Sequence, residues 1–376
     1  MPPFVAEVDL DAIRDNVAEL RRRAGSAAVM AVVKADGYGH GMVPSARAAV
    51  EAGAGWLGVA FIDEALALRA AGIEVPILAW LVDQQADVAA AIAADVDLSV
   101  SAGWTLDLIA DAAAAAGRVA RVHAKADTGL ARGGATSADW PALVDAVSKR
   151  QAEGQVDVVG IWSHLAHADA PGHPTIDRQR ALFVEAVEIA ATAGLRPQVR
   201  HLANSAATLV LPQTHFDLVR PGIAVYGLSP GPQVGVSADL GLRPAMRLRT
   251  SVALVKSVGA GQGVSYGHRY STPSSTTLAL VPVGYADGIP RQATNIGPVQ
   301  INGRRYVVSG TVCMDQFVVD VGDDAVAIGD DVVLFGPGDN GEPTADDWAA
   351  VIGTINYEIV TRIGARVPRS YLGESA

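Results

Sequence analysis

Eight times within its first 226 residues the chain sets a short β-branched, apolar run ahead of an alanine-rich amphipathic segment. The runs cover 29–35, 56–61, 75–80, 97–100, 121–126, 156–164, 199–203 and 218–226. Between them lie patterns such as VPSARAAVEAG, IDEALALRAAG, ALVDAVSKRQAEG and DRQRALFVEAVEIAATAG, several stopped by a glycine just past the last periodic residue. Strands alternating with helices predict a parallel sheet, because a crossover helix is the usual way to bring the chain back to start the next parallel strand. Eight such units make a (β/α)8 TIM-type barrel of ~250 residues. A doubly wound open sheet is the alternative, and DLSV at 97–100 is the shortest of the eight runs.

After residue 236 helical spacing gives way to β-branched runs separated by turn signals, in LRTSVALVKSVGAG, TTLALVPVGYADG and GPVQINGRRYVVSGTVCMDQFVVDVG. Asn302-Gly303 reads as a two-residue hairpin turn, and Thr344 with Asp347 as a helix N-cap before one short helix. The expected organisation is an α/β barrel over 1–236 and a mostly antiparallel β domain over 237–376.

Composition narrows the function classes. With 29 basic against 40 acidic residues the net charge is −11, which argues against nucleic acid or an anionic membrane surface as partner. A single cysteine, Cys313, excludes a disulfide within the chain and any multi-thiolate metal site. No apolar stretch approaches the ~18 to 20 residues of a membrane helix. The start MPPFVAEVDLDAIRDN is acidic where a signal peptide needs a basic start, so a cytoplasmic protein is expected.

Three motifs carry less than they promise. Gly53, Gly55 and Gly58 match GxGxxG, but they follow a helix and lead into a strand, the reverse of a phosphate-binding turn. Gly263-Val-Ser265-Tyr-Gly267 matches GxSxG, yet HRYSTPSS after it is not helical, as a nucleophile elbow requires. His164, His167 and His173 straddle a strand end and a Gly/Pro loop, a spacing unlike that of zinc ligands on one helical face.

Chemistry in such a barrel belongs to the rim where strands end, since that rim collects side chains from all eight strands. Lys34, Lys125, Arg132, His164, Asn204, Ser205, Arg220 and Gly222 fall there. A lysine against an apolar strand body is desolvated, its pKa falls, and the amine is prepared to attack a carbonyl. Each lysine alone reads more readily as a side chain reaching solvent; together with the rim Arg, His, Asn and Ser they favour a catalytic site.

These same residues resemble the alanine racemase family. AVVKADGYGHG at 31–41 is similar to its pyridoxal phosphate lysine motif. KADTGLARGG at 125–134, WSHLAHAD at 162–169, HLANSAA at 201–207, VRPGIAVYG at 219–227, GVSYGHRY at 263–270, VPVGYADGIPR at 281–291, GTVCMDQ at 310–316 and INYEIVTRI at 355–363 follow in the family's order. The family's barrel and β domain agree with the periodicity.

The resemblance implies roles. Lys34 would hold pyridoxal phosphate as a Schiff base and serve as acid and base on one face of the substrate. Tyr38, Asn204, Ser205, Gly222, Ile223 and Tyr357 would bind the cofactor, most of them at its phosphate. Arg220 would face the pyridine nitrogen; a guanidinium keeps its proton, so the ring becomes a weaker electron sink and reprotonation outruns transamination. Tyr266 resembles the second base; bringing a phenol from ~10 to neutrality takes ~3 pKa units, or ~4 kcal/mol, supplied along Arg220, His164 and Tyr266.

Arg132 would contact the substrate carboxylate, and Lys125 resembles a lysine carried as a carbamate. Tyr266, Tyr285, Met314 and Asp315 would come from the partner chain of a homodimer with shared sites, with Tyr285 and Met314 bounding the substrate. The expected activity is interconversion of L- and D-alanine by two bases, supplying peptidoglycan precursors. The alternatives are a racemase for serine or a broader set of amino acids, a basic amino acid decarboxylase, which Arg220 disfavours, and a non-catalytic pyridoxal phosphate-binding barrel.

Overall fold

The computed structural model describes residues 4–373, which separate into two compact units. One comprises Ile13–Gly37 and Met42–Leu242; the other comprises residues 4–12, Tyr38–Gly41 and 243–373.

In the first unit all eight apolar runs contain strands: Ala28–Val32, Trp56–Val59, Ile77–Ala79, Asp97–Val100, Ala120–Lys125, Val156–Trp162, Val199–His201 and Leu218–Val219. They lie parallel, each beside the next in sequence, and Leu218–Val219 pairs back onto Ala28–Val32. Between Val199–His201 and Leu218–Val219 the ring is completed by backbone bonds. Asp217 N donates to Arg200 O at 3.0 Å, and Arg220 N donates to Ala203 O at 2.9 Å. Closure therefore leaves no sheet edge and sets Arg220 on the rim. The short run at 97–100 forms a strand whose four residues are all buried.

The glycine stops act as expected at Gly72, Gly154 and Gly194, whose left-handed φ of 81°, 73° and 89° follow the helices Ile62–Ala70, Trp140–Ala152 and Pro174–Thr192. Gly53, Gly55 and Gly58 run from the end of the helix Met42–Glu51 into the strand Trp56–Val59, so no helix N-terminus meets them.

The second unit holds a six-stranded sheet, a three-stranded sheet of Leu254–Val258, Thr276–Val281 and Phe317–Gly322, and a hairpin of Gly263–Val264 with Tyr270–Ser271. Its membership departs from a division at residue 236. The opening strand Phe4–Asp9 pairs antiparallel with Met246–Ser251 and parallel with Arg369–Leu372, within the larger sheet. The reason is its pattern: Ala6 and Val8 are buried while Glu7 and Asp9 are half-exposed, which suits a one-faced sheet and not a barrel interior.

Asn302 (φ 48°) and Gly303 (φ 81°) form the turn joining Ile301 to its partner Arg304, both central residues left-handed as a two-residue hairpin demands. Thr344 and Asp347 make a reciprocal capping box on the helix Ala345–Ile352. The structure adds a second helix, Asn356–Thr361, before the strand Arg369–Leu372, so NYEIVT is helical. Among the described residues no helix is long and apolar enough to cross a membrane.

Candidate active site

Lys34 stands just beyond the strand Ala28–Val32, at the start of a left-handed turn: Ala35 and Asp36 have φ 53°, Gly37 61° and Tyr38 52°. Left-handed non-glycine residues cost ~1–2 kcal/mol each and persist only where neighbours hold them. Glu64 does so by accepting from Ala35 N at 2.7 Å, and Asp36 Oδ1 accepts from Met42 N at 2.9 Å. The Lys34 amine lies 5.7 Å from the Trp80 ring centroid. Burial, with Arg132 nearby, lowers its pKa against the opposing pull of Glu64.

Lys125 is the last residue of Ala120–Lys125, with Nζ 4.2 Å from the Trp162 ring centroid. Burial first, then Arg220 and Arg132, push its amine down to about 8. Trp162 also lies under Arg220, whose guanidinium carbon is 4.9 Å from the ring centroid. Two cations against one aromatic ring make this side of the rim strongly electropositive.

Arg220 is buried and held by neutral acceptors alone. Its Nη2 donates to Ser163 O at 2.8 Å and Leu202 O at 3.2 Å and meets His164 Nδ1 at 3.2 Å; its Nη1 meets His201 Nδ1 at 3.1 Å. Among the described residues no carboxylate pairs with it. Burial pushes its pKa down to about 9, which leaves it charged at neutral pH. His164 is held well below the ordinary imidazole range by burial and by Arg220, Arg132, Lys125 and Lys34 in turn. Lys34, Lys125, Arg132, His164 and Arg220 therefore share one field, although Arg132 itself is exposed.

Across the closure of the ring, Ser205 Oγ accepts from Gly222 N at 2.8 Å and Ala224 N at 3.4 Å. Ser205 thus ties the helix Ser205–Val210 to the turn Ile223–Tyr226, where Ile223 is buried. The Asn204 side chain is engaged locally, accepting from Ala207 N at 3.1 Å and so capping that helix.

In the other unit Tyr38 and Tyr357 lie with ring centroids 6.3 Å apart, and burial raises the Tyr38 phenol. Tyr266, Tyr285, Met314 and Asp315 occupy neighbouring loops. Thr311 Oγ1 donates to Tyr266 O at 2.7 Å, Tyr285 N donates to Cys313 O at 3.0 Å and Ala286 N to Met314 O at 2.9 Å. A Cβ at Gly284 would lie 2.3 Å from Cys313 O, so that loop pair packs this closely only with glycine. Tyr266 is 75% exposed, Met314 52% and Tyr285 43%. GVSYG leads into the turn Tyr266–His268 and not into an α-helix, so no nucleophile elbow forms.

Several positioning groups lie outside the sequence motifs. Gln179 Nε2 donates to His164 O at 3.0 Å and its Oε1 accepts from Ala166 N at 2.8 Å, fixing the loop that carries His164. Arg366 pairs with Asp315 at 2.8 Å and with the fully buried Asp287 at 3.2 Å. Asp97 and His123, with His201 at the start of the HLANSAA motif, sit as polar residues inside strands, a signal readable as charge and imidazole where the barrel wants aliphatic side chains.

The donor set fits pyridoxal phosphate. A half-desolvated amine of lowered pKa suits covalent attachment, converging backbone N–H groups at Ser205 suit a phosphate, and a buried guanidinium without a carboxylate suits a neutral ring nitrogen.

Comparison with known proteins gives the family. Residues 8–230 match the alanine racemase N-terminal domain and residues 245–371 the alanine racemase C-terminal domain. The chain is 67% identical over 367 residues to alanine racemase of Frankia casuarinae, covering 98% of this chain and 96% of that protein. It is 61% identical over 369 residues to that of Salinispora arenicola, covering 98% of each. Among solved structures, alanine racemase from D-cycloserine-producing Streptomyces lavendulae aligns with a TM-score of 0.98 at 58% identity, over 99% of this chain and 98% of that one. Alanine racemase from Bacillus anthracis with bound L-Ala-P aligns with a TM-score of 0.90 at 36% identity, over 99% and 95% of the two chains. Two family domains in order, spanning nearly the whole chain, establish that this protein is an enzyme of the alanine racemase family.

Proposed function

We propose that the protein interconverts L- and D-alanine with pyridoxal phosphate, through two acid–base groups on opposite faces of the substrate. The observation that carries this reading is Arg220, a buried cation whose acceptors are carbonyls and imidazoles. The bound cofactor supplies a sink for the negative charge left when the α-proton departs. Arg220, which keeps its proton and has only neutral acceptors, would leave that sink shallow and so favour quick return of a proton to the α-carbon.

Lys34 holds the cofactor and moves a proton at one face, its pKa lowered toward working pH by burial. Tyr266 serves the other face. Ser205, Gly222 and Ile223, with Tyr38 and Tyr357, hold the phosphate, and Asn204 acts by fixing the helix start beside them. Arg132 receives the substrate carboxylate.

Tyr266, Tyr285, Met314 and Asp315 belong to the unit that does not contain Lys34. Their exposure supports their serving the barrel of a second copy, in a homodimer with two shared sites. The bulk of Tyr285, Met314 and Tyr357 favours a methyl side chain over a larger one. A cytoplasmic setting supplying D-alanine to peptidoglycan fits this activity.

The test is circular dichroism of enantiopure L-alanine in deuterated buffer with the purified protein. Loss of optical activity together with deuterium at the α-carbon is the expected outcome; a fixed signal overturns the reading.

A further inference from the structure

A polar chain runs through the interior of the barrel, where aliphatic layers are the rule. Asp97, the first residue of its strand and fully buried, accepts from Arg121 Nε at 2.6 Å through Oδ1, while its Oδ2 meets His123 Nε2 at 3.1 Å and, more loosely, Arg121 Nη2 at 3.3 Å. His123 Nδ1 lies 2.9 Å from His201 Nε2, and His201 Nδ1 lies 3.1 Å from Arg220 Nη1. All four buried members are less than a tenth exposed. The backbone makes room for the chain: a Cβ at Gly160 would sit 2.2 Å from His123 Nδ1. The strand pairing also shifts register between Val122 and His123.

Proton counting fixes every hydrogen. The guanidinium of Arg220 only donates, so His201 Nδ1 must accept and His201 carries its proton on Nε2. That proton points at His123 Nδ1, which must then accept, so His123 carries its proton on Nε2. The Nε2–H faces Asp97, which as a carboxylate only accepts. Burial, opposed by its bonds to His123 and Arg121, leaves the Asp97 carboxyl below the usual range. His201 is kept neutral by burial and by Arg220. The four groups satisfy one another in one orientation only.

We infer that Asp97, at the far end of the barrel from the rim, is a positioning residue for Arg220, acting through His123 and His201 by fixing the tautomer of each ring. Its catalytic consequence rests on the role proposed for Arg220 at the cofactor. A rotated or repelled guanidinium would no longer face the cofactor nitrogen squarely.

The experiment uses the cofactor-loaded protein labelled with ¹⁵N in histidine. Two-dimensional ¹⁵N–¹H spectra of the native protein are expected to show His123 and His201 both as neutral Nε2–H tautomers. In Asp97→Asn the short contact to Arg121 retains the amide oxygen, which turns the NH2 toward His123 Nε2. Both rings must then flip, and His201 presents an N–H to the Arg220 N–H. The expected result is two Nδ1–H tautomers and a kcat about tenfold lower, with KM for alanine within about twofold.

Native rings in any other protonation state overturn the inference, whether or not Asp97→Asn folds. Unflipped rings in the variant overturn it, as do flipped rings with native kcat. If the native protein fails to turn over alanine, the proposed function falls while the tautomer spectrum still answers for the chain.

Discussion

Arg220 Nη2 lies 3.2 Å from His164 Nδ1, an arrangement in which the guanidinium donates and the imidazole can only accept. His164 is therefore neutral with its proton on Nε2, directed away from Arg220. Burial and four surrounding cations hold it so. The unfolded chain binds a proton at His164 below its ordinary value near 6.5 and the native state does not, so acid costs stability here. His164→Asn is expected to flatten the rise in unfolding free energy with pH between about 5 and 7, measured by urea denaturation. An unchanged slope would show a protonated His164 in the native state.

The proposed sharing of each site between two copies predicts the behaviour of mixtures. Lys34→Ala and Tyr266→Phe homodimers are each expected to lose at least ~100-fold in racemisation, the size typical of a lost acid–base group. Co-expressed heterodimers should recover up to about half of the native activity, because one of two sites regains both residues. Heterodimers confirmed by mass and still inactive would contradict sharing.

Lys125, with its amine lowered to about 8, is more nucleophilic at neutral pH than an ordinary lysine. Attack of the neutral amine on CO2 forms a carbamate and releases a proton, replacing a cation that Arg220 and Arg132 repel with an anion they attract. A ¹³C carbamate signal is expected with ¹³C-bicarbonate near pH 8, absent in Lys125→Ala. A bare amine under those conditions removes the modification.

Arg220→Glu would place a carboxylate where the native chain has none. The variant is expected to keep its cofactor, slow racemisation by ~100-fold or more, and show a new visible absorbance and side products during turnover. A native spectrum with only racemised alanine would count against Arg220 as the group that sets reaction choice.

Arg366 links the buried Asp287 to the exposed Asp315. Asp287 Oδ2 also accepts from Gly284 N at 2.9 Å, so removing Arg366 loosens the loop that carries Tyr285. Arg366→Ala is expected to lower stability, because the fully buried Asp287 is left without its cation. KM for alanine should rise more than kcat falls, as steady-state kinetics would reveal; an unaltered KM would place Asp315 outside substrate binding.

Local pattern determined a good deal here. The eight apolar runs, the Asn302-Gly303 turn and the Thr344 cap are set by neighbours within a few residues, so they were readable along the chain. Lys34, Lys125, His164 and Arg220 were readable as well, since a strand end in a barrel is a rim position whatever the rest of the fold does. Tertiary structure alone decided that the first strand leaves the barrel for the β unit, because its two partners lie more than 230 residues away in sequence. It also decided that Asp97, His123 and His201 meet inside the barrel. Those contacts join residues on separate strands, and only closure of the ring brings three strand interiors within hydrogen-bonding distance.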